Sequence, residues 1–271
     1  MDKQNQHKRY YFLAGLPRAG NTLFANIINQ NPDMAVTSNS LLSESLGALS
    51  ILKNEETFLN FKDGKSFDDM MVGVLPNYYS NWKQKYIIDR SPWGLKVNLN
   101  LLEKYCTNEI KIIVLVRDML EVLASFVKFS NENPNFFLNK IAKTESEKCL
   151  YLTTTYNGRY GVVYQQYEGI KNLLLPQNIK YTHFIEYNDL VSDTTNVINS
   201  AYDFLGIDRF NHDLTKLEQF KINDISYDDS SLGGNLHEIR TSDISKNDYN
   251  VEDILSKETI EKYSNLNIWR N

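Results

Sequence analysis

The 271-residue chain predicts an α/β protein with a P-loop-like three-layer fold, a central parallel sheet flanked by helices. Three observations carry this expectation. Strand-length apolar runs alternate with helical patterns, the order that gives parallel sheets. Ile110-Lys111-Ile112-Ile113-Val114-Leu115-Val116 has the near-continuous apolar character of a strand buried on both faces. Tyr10–Ala14 runs through Gly15-Leu16-Pro17-Arg18-Ala19-Gly20 into a helical pattern, the strand–glycine loop–helix order of a phosphate-binding loop.

In chain order, Tyr10–Ala14 is the first strand. A helix beginning near Thr22 follows, with Leu23, Phe24, Ile27 and Ile28 at helical spacing, and it ends before the turn Asn31-Pro32-Asp33. A short strand around Met34–Thr37 leads into mixed helical segments through about Trp82. Tyr86–Asp89 reads as a third strand, stopped by Ser91-Pro92. Ile110–Val116 is the fourth, and Asp118 caps the helix after it, whose apolar positions 119, 122, 123, 126 and 127 repeat with helical period. Glu145–Leu175 reads as one long helix or two, ended by Pro176. Tyr181–Tyr187 is a further strand, and Ser192-Asp193-Thr194 opens a helix closed by Gly206. From about residue 211 to 271 the chain is polar, and the expectation is an irregular tail or lid. With no repeat, linker or low-complexity block, residues 1–271 are expected to form a single domain.

Hydrophobic content of 42% and charged content of 23% are ordinary for a soluble globular protein. A net charge of −5 argues against a general nucleic-acid or membrane-surface binder, so an anionic ligand must be held by a local pocket. Cys106 and Cys149 provide neither a disulfide framework nor metal-ligand spacing. No apolar run reaches membrane-spanning length, and residues 1–9 lack the apolar stretch of a signal peptide. Together these features lead to the expectation of a cytoplasmic location.

Gly15 and Gly20 have the spacing of G-x-x-x-x-G-K-[ST], but Asn21 stands where that motif has lysine. Thr22 keeps the hydroxyl. The positive charge sits three residues upstream, at Arg18, whose planar fork can hold an anionic oxygen in two-point fashion. Two further arginines fall at strand ends: Arg117 after the strongest strand, with Ser125 eight residues on, and Arg90 in Asp89-Arg90-Ser91-Pro92-Trp93. Ligands bind off the carboxyl ends of strands in open parallel sheets, so three arginines there imply a ligand with several anionic groups. Arginine is otherwise scarce, eight against 21 lysines, and Arg240 also falls in a local pattern, Asn-Leu-His-Glu-Ile-Arg.

These residues carry a resemblance. Gly15–Leu23 resembles the 5′-phosphosulfate-binding loop of PAPS-dependent sulfotransferases, especially the Pro-Arg-Ser-Gly-Thr-Thr-Leu form of the tyrosylprotein sulfotransferases. Val116-Arg117-Asp118 with Ser125 resembles their 3′-phosphate-binding segment. Asp89-Arg90-Ser91-Pro92 resembles the Lys-Asp-Pro or Lys-Ser-Pro element, with arginine in place of lysine. Ile185–Val191 followed by Phe204-Leu205-Gly206 resembles the Tyr-Glu-x-Leu … Phe-Leu-Gly stretch, so that matches in the same order span roughly residues 10–210.

The resemblance implies transfer of the sulfuryl group of PAPS to a hydroxyl or amine, leaving PAP, with no metal required. It implies that Arg18 and the backbone of Ala19, Gly20, Asn21, Thr22 and Leu23 hold the 5′-phosphosulfate. Arg117 and Ser125 would hold the 3′-phosphate and Tyr164 would contact the nucleotide, while Arg90 would neutralise charge on the transferring group. The glutamate that serves as base in the tyrosylprotein enzymes has no counterpart in Thr37-Ser38-Asn39-Ser40. Glu44 is the nearest substitute, His237 the second candidate and Asp89 a third, although Asp89 is expected to pair with a cation. A P-loop kinase and a non-catalytic nucleotide-binding module are the competing readings. The expected acceptor is a small molecule or glycan precursor.

Overall fold

The structure, a computed structural model, describes residues 8–37, 39–106, 109–239, 244–245 and 249–270. His7, Ser38 and Arg240 therefore lie outside the described residues.

Five short strands form one sheet. Its strands are β1 (Arg9–Gly15), β2 (Met34–Val36), β3 (Tyr86–Arg90), β4 (Ile112–Val116) and β7 (Thr182–Glu186), in the order β2-β3-β1-β4-β7. Every neighbouring pair is parallel. All five residues of β4 are buried, as expected of a strand covered on both faces. The helices on the faces are α1 (Asn21–Ile28), α2 (Leu42–Ile51), α3 (Glu56–Asn60), α4 (Gly64–Tyr78), α5 (Lys96–Leu101), α6 (Met119–Glu132), α7 (Phe137–Ile141), α8 (Glu145–Thr153), α9 (Val162–Leu173), α10 (Tyr187–Ser192), α11 (Thr194–Leu205) and α12 (Lys257–Tyr263). Among the described residues, no helix is long and apolar enough to cross a membrane.

The register aligns the strand ends that matter. Leu13 pairs with Arg90, Gly15 with Leu115, and Val116 with Glu186. The loop after β1, the Arg90 turn, Arg117 and Tyr187 consequently emerge along one edge of the sheet. Chain order reverses on either side of β1, which makes this edge the switch point where ligands bind in such sheets.

Glu145–Leu175 holds two helices, α8 and α9, the second of the two expected readings, with a hairpin between them that was not expected. Between α8 and α9 the chain makes a hairpin, β5 (Thr155–Tyr156) and β6 (Arg159–Tyr160), turning at Asn157-Gly158 with φ of 48° and 73°. Two consecutive positive φ angles are the requirement of a type I′ turn, which Asn-Gly meets at least cost. The segment after Phe210 is also more ordered than a polar composition suggests. It holds a second hairpin, β8 (Lys221–Ile222) and β9 (Ile225–Ser226), turning at Asn223-Asp224, and then α12. Both polar atoms of the Gln219 side-chain amide engage Ile239: Nε2 donates to the carbonyl at 2.6 Å and Oε1 accepts the backbone N–H at 3.0 Å. This closes residues 219–239 into a loop seated on α6 and the turn after it. Gly233 (φ 80°) packs so closely there that a Cβ would stand 2.1 Å from the Asn135 carbonyl.

Candidate active site

The loop after β1 begins at Gly15, whose φ of 125° and contact with the Leu115 backbone leave no space for a side chain. Gly20 (φ 84°) turns the chain into α1, and no side chain caps that helix. The first N–H groups of α1, which have no intrahelical partner, therefore face outward beside the helix's positive dipole end. Asn21 is buried. Its Nδ2 donates to the Leu16 carbonyl at 2.8 Å, bracing the loop, and its Oδ1 is a buried acceptor without a partner among the described residues.

Arg117 is almost wholly buried and tightly held. Its Nε donates to Glu121 Oε2 at 2.8 Å, Nη1 to the Arg18 carbonyl at 3.0 Å, and Nη2 to the Tyr249 hydroxyl at 3.3 Å. Its guanidinium carbon lies 4.2 Å from the centre of the Tyr187 ring. Arg18, at φ 61°, reaches the other way, with Nε donating to Ser125 Oγ at 3.0 Å and Nη1 to the Leu236 carbonyl at 2.6 Å. The two arginines thus form one cluster, Arg117 supporting the backbone of the residue that binds Ser125. Arg90 sits at the end of β3, where burial pushes its guanidinium pKa down and the neighbouring Tyr227 phenol raises it.

His237 comes from the loop that crosses this edge. Its Nδ1 lies 2.7 Å from Asp229 Oδ1, and its backbone N–H donates to Asp229 Oδ2 at 2.9 Å. The Tyr227 ring stacks on the imidazole at 3.9 Å between centres and 2° between planes. The His237 side chain is 17% exposed and that of Asp229 9%. Burial depresses the His237 pKa below the ordinary imidazole value; Asp229 offsets part of this, and Arg90 and Arg18 add to it.

A cavity of about 460 Å³ opens between these groups, lined by Pro17, Arg18, residues 20–23, Arg90, Arg117 and His237, with Phe137, Val162 and Leu232 on an apolar side. Ala19 is buried beneath the loop, and Ser125 is buried under Arg18. The remaining expected residues lie elsewhere. Glu44 is exposed in the first turn of α2, takes a hydrogen bond from the Ser43 hydroxyl at 2.7 Å, and does not line the cavity. The reason is helical phase: Leu42, Ser43 and Leu46 turn inward and Glu44 outward. Tyr164 lines a separate groove with Tyr160, Leu95 and Lys171.

Asp89 is fully buried and, instead of the expected cation, takes hydrogen bonds from the Tyr79 phenol and from Trp93 Nε1 (2.8 Å to Oδ1). Burial raises its pKa. His183 bonds to Ser200 and His212 to Tyr202, so both are used in packing. Sequence reasoning missed Asp229, Tyr227, Glu121 and Tyr249. Asp229, Tyr227 and Tyr249 belong to no local motif and join the site through contacts made by folding, whereas Glu121 lies one helical turn from Arg117, an i,i+4 pairing that the sequence spacing allows.

Three guanidinium groups and the N-terminal amides of an uncapped helix around one cavity are a donor set suited to a ligand with several phosphate-like groups. A family model described as "Sulfotransferase domain" matches residues 8–262. Two solved structures share the fold. Mouse sulfotransferase SULT7A1 complexed with PAP is 15% identical, with a TM-score of 0.56 over 96% of this chain and 83% of that one. The sulfotransferase domain from the Synechococcus PCC 7002 olefin synthase is 17% identical, with a TM-score of 0.51 over 89% and 92%. No curated protein matches the chain by sequence.

Proposed function

Because the chain belongs to the sulfotransferase domain family, we propose that it moves a sulfuryl group from PAPS to the hydroxyl of a small-molecule acceptor, with His237 as the general base. The observation that carries this reading is the convergence of Arg18, Arg90, Arg117 and His237 on one cavity at the N-terminus of α1.

PAPS supplies the sulfuryl group, whose sulfur–oxygen bond to the 5′-phosphate breaks as the acceptor oxygen bonds to sulfur. In this reading the amides of residues 19–23 and Arg18 hold the 5′-phosphosulfate end, which the uncapped start of α1 supports. In the same reading Arg117 and Ser125 hold the 3′-phosphate; Tyr187, Glu121 and Tyr249, which keep the Arg117 fork in one orientation, support it. Arg90 offers its charge where negative charge develops during transfer. His237, kept neutral near pH 7 by burial, accepts the acceptor's hydroxyl proton. Phe137, Val162 and Leu232 suit an acceptor with an apolar portion. Glu44 and Tyr164 have no part in this arrangement.

The test is incubation of the protein with sulfur-labelled PAPS and cell extract, with detection of sulfated products and, in parallel, calorimetric binding of PAP. The His237→Gln variant should bind PAP like the parent and lose about 10²- to 10⁴-fold in turnover, the usual share of a positioned acid–base group. Product formed at the parent rate by His237→Gln overturns the base assignment. Label transfer from ATP with magnesium, and none from PAPS, overturns the donor.

A further inference from the structure

We propose that Asp229 and Tyr227 are positioning residues for His237: Asp229 fixes the imidazole tautomer, and Tyr227 holds the plane of the ring beside Arg90. The importance of this for turnover rests on the reading of His237 as the base; the placement itself does not.

The geometry is specific. Asp229 engages His237 with both carboxylate oxygens, one on the ring and one on the backbone, at 2.7 and 2.9 Å. This ties the ring's orientation to the chain's. An ionised carboxylate only accepts hydrogen bonds, so Nδ1 must carry the imidazole proton and Nε2 keeps its lone pair. An imidazole in the other tautomer would have a proton on Nε2 and could not take one from an acceptor hydroxyl.

Asp229 is itself well seated. Its carbonyl accepts the Leu232 N–H at 2.9 Å in a 3₁₀ turn over Ser230–Leu232. Gly233 ends that turn pressed against the Asn135 carbonyl. Tyr227 leaves the β8–β9 hairpin and packs its ring between Phe220, 5.2 Å between centres, and the imidazole. Its phenol is hydrogen-bonded with Arg90. Tyr227 therefore engages the base and Arg90 at the same time.

The charged and titratable groups facing His237 are Asp229, which raises its pKa, Arg90 and Arg18, which lower it, and the Tyr227 phenol. Removing the Asp229 charge must move the midpoint downward, because the two arginines remain unopposed. Replacement by asparagine also introduces an N–H₂ that can donate to Nδ1 and drive the proton to Nε2.

The test uses the full chain labelled with ¹⁵N-histidine, with and without PAP, His237→Gln assigning the signal by its disappearance. In the parent, His237 should show the Nδ1–H tautomer at pH 7 and titrate below the ordinary imidazole midpoint. Asp229→Asn should reduce the Nδ1–H to Nε2–H ratio about tenfold or more, the effect of losing one charge-assisted hydrogen bond, and move the midpoint lower still. Tyr227→Phe keeps the stack and should preserve the tautomer, whereas Tyr227→Leu should leave the ring signal exchange-broadened. An Asp229→Asn protein with the parent's tautomer and midpoint overturns the proposal. If the tautomer shifts as expected while His237→Gln sulfates at the parent rate, the placement holds and the base reading falls. The reverse pattern separates the two equally well.

Discussion

Arg18 adopts φ 61°, a left-handed conformation that costs a non-glycine residue about 1–2 kcal/mol. Three contacts offset this: its carbonyl is held by Arg117 and its guanidinium by Ser125 and the Leu236 carbonyl. A residue strained in this way at a phosphate-type loop is poised for function, and the two arginines are expected to fail differently when removed. Arg18→Ala should bind PAP within a few-fold of the parent yet lose about 10²- to 10³-fold in turnover, as when one donor to a developing charge is deleted. Arg117→Ala should weaken PAP binding by about 1.5–3 kcal/mol, the worth of a hydrogen bond to a charged group. It should also lower Tm, because Glu121 and the Arg18 carbonyl lose their partner. Calorimetry with PAP and steady-state turnover separate the two. Equal PAP affinity in parent and Arg117→Ala would remove Arg117 from the nucleotide site. Arg18, Arg90 and Arg117 were legible in the sequence because each ends a strand within a few residues of a glycine, proline or cap signal. Tyr249, which helps to orient Arg117, was not, since it lies 132 residues away and has no periodic context.

The same distinction between local and long-range information governs the elements. β1, α1, β4 and α6 follow from apolar period, glycine and the Asp118 cap, whose carboxylate accepts the Leu120 N–H at 3.0 Å. Of the two readings of Glu145–Leu175, one helix or two, the structure has two, parted at Asn157-Gly158, a strong local hairpin signal set between two stretches of good helical period. That hairpin lets α9 turn back, and its arrival depends on a pair of glycines. A Cβ on Gly94 would lie 2.8 Å from the Gly169 backbone carbon and oxygen, while a Cβ on Gly169 would meet Gly94 at 3.2 Å. The Asn172 side chain reinforces the contact by donating to the Gly94 carbonyl at 2.9 Å. Gly94 follows the Arg90 turn directly, so the spacing of α9 from this turn bears on the cavity. Gly94→Ala should destabilise the protein by about 1–3 kcal/mol, the usual cost of overpacking, and Gly169→Ala by less. Urea unfolding gives both values, and a Gly94→Ala protein as stable as the parent would mean that α9 moves away without cost. The order within residues 219–239 escaped the sequence for a different reason: it depends on Gln219 clamping Ile239 and on docking against Asn135, neither of which leaves a pattern in composition.

Across the whole molecule, the buried titratable groups define a pH range for stability. On the acid side, burial holds His183, His212 and His237 below the ordinary 6.5. The folded state then binds fewer protons than the unfolded state as pH falls below about 6.5, so stability decreases in that direction. Asp89 acts oppositely, its carboxyl being raised above the ordinary 3.8 by burial, so its contribution is lost as pH rises through its folded value. Carboxylates held below their ordinary values by hydrogen bonds, Asp68, Asp203 and Asp213 among them, act in the same direction as the histidines as pH falls further. On the alkaline side, burial moves Cys106 and Cys149 from 9.0 up to about 12. The folded thiols keep protons that the unfolded chain releases above pH 9, and stability falls as pH rises from there. Tyr79 and Tyr202, which are buried, and the half-buried Tyr10 steepen that fall above pH 10. Tm should therefore be highest between about pH 7 and pH 9 and decline on both sides. Scanning calorimetry across this range tests the shape, and Cys106→Ala with Cys149→Ala tests the alkaline cause. The double variant should lose stability at pH 8 through lost packing yet show a shallower decline toward pH 11. A decline as steep as the parent's would show that the thiols do not govern it. The acid arm also bears on the site, because the pH range that protonates His237 is the one that begins to unfold the chain. A fall in turnover below about pH 6 should therefore be measured beside Tm, and it reports the base only where Tm is still near its maximum.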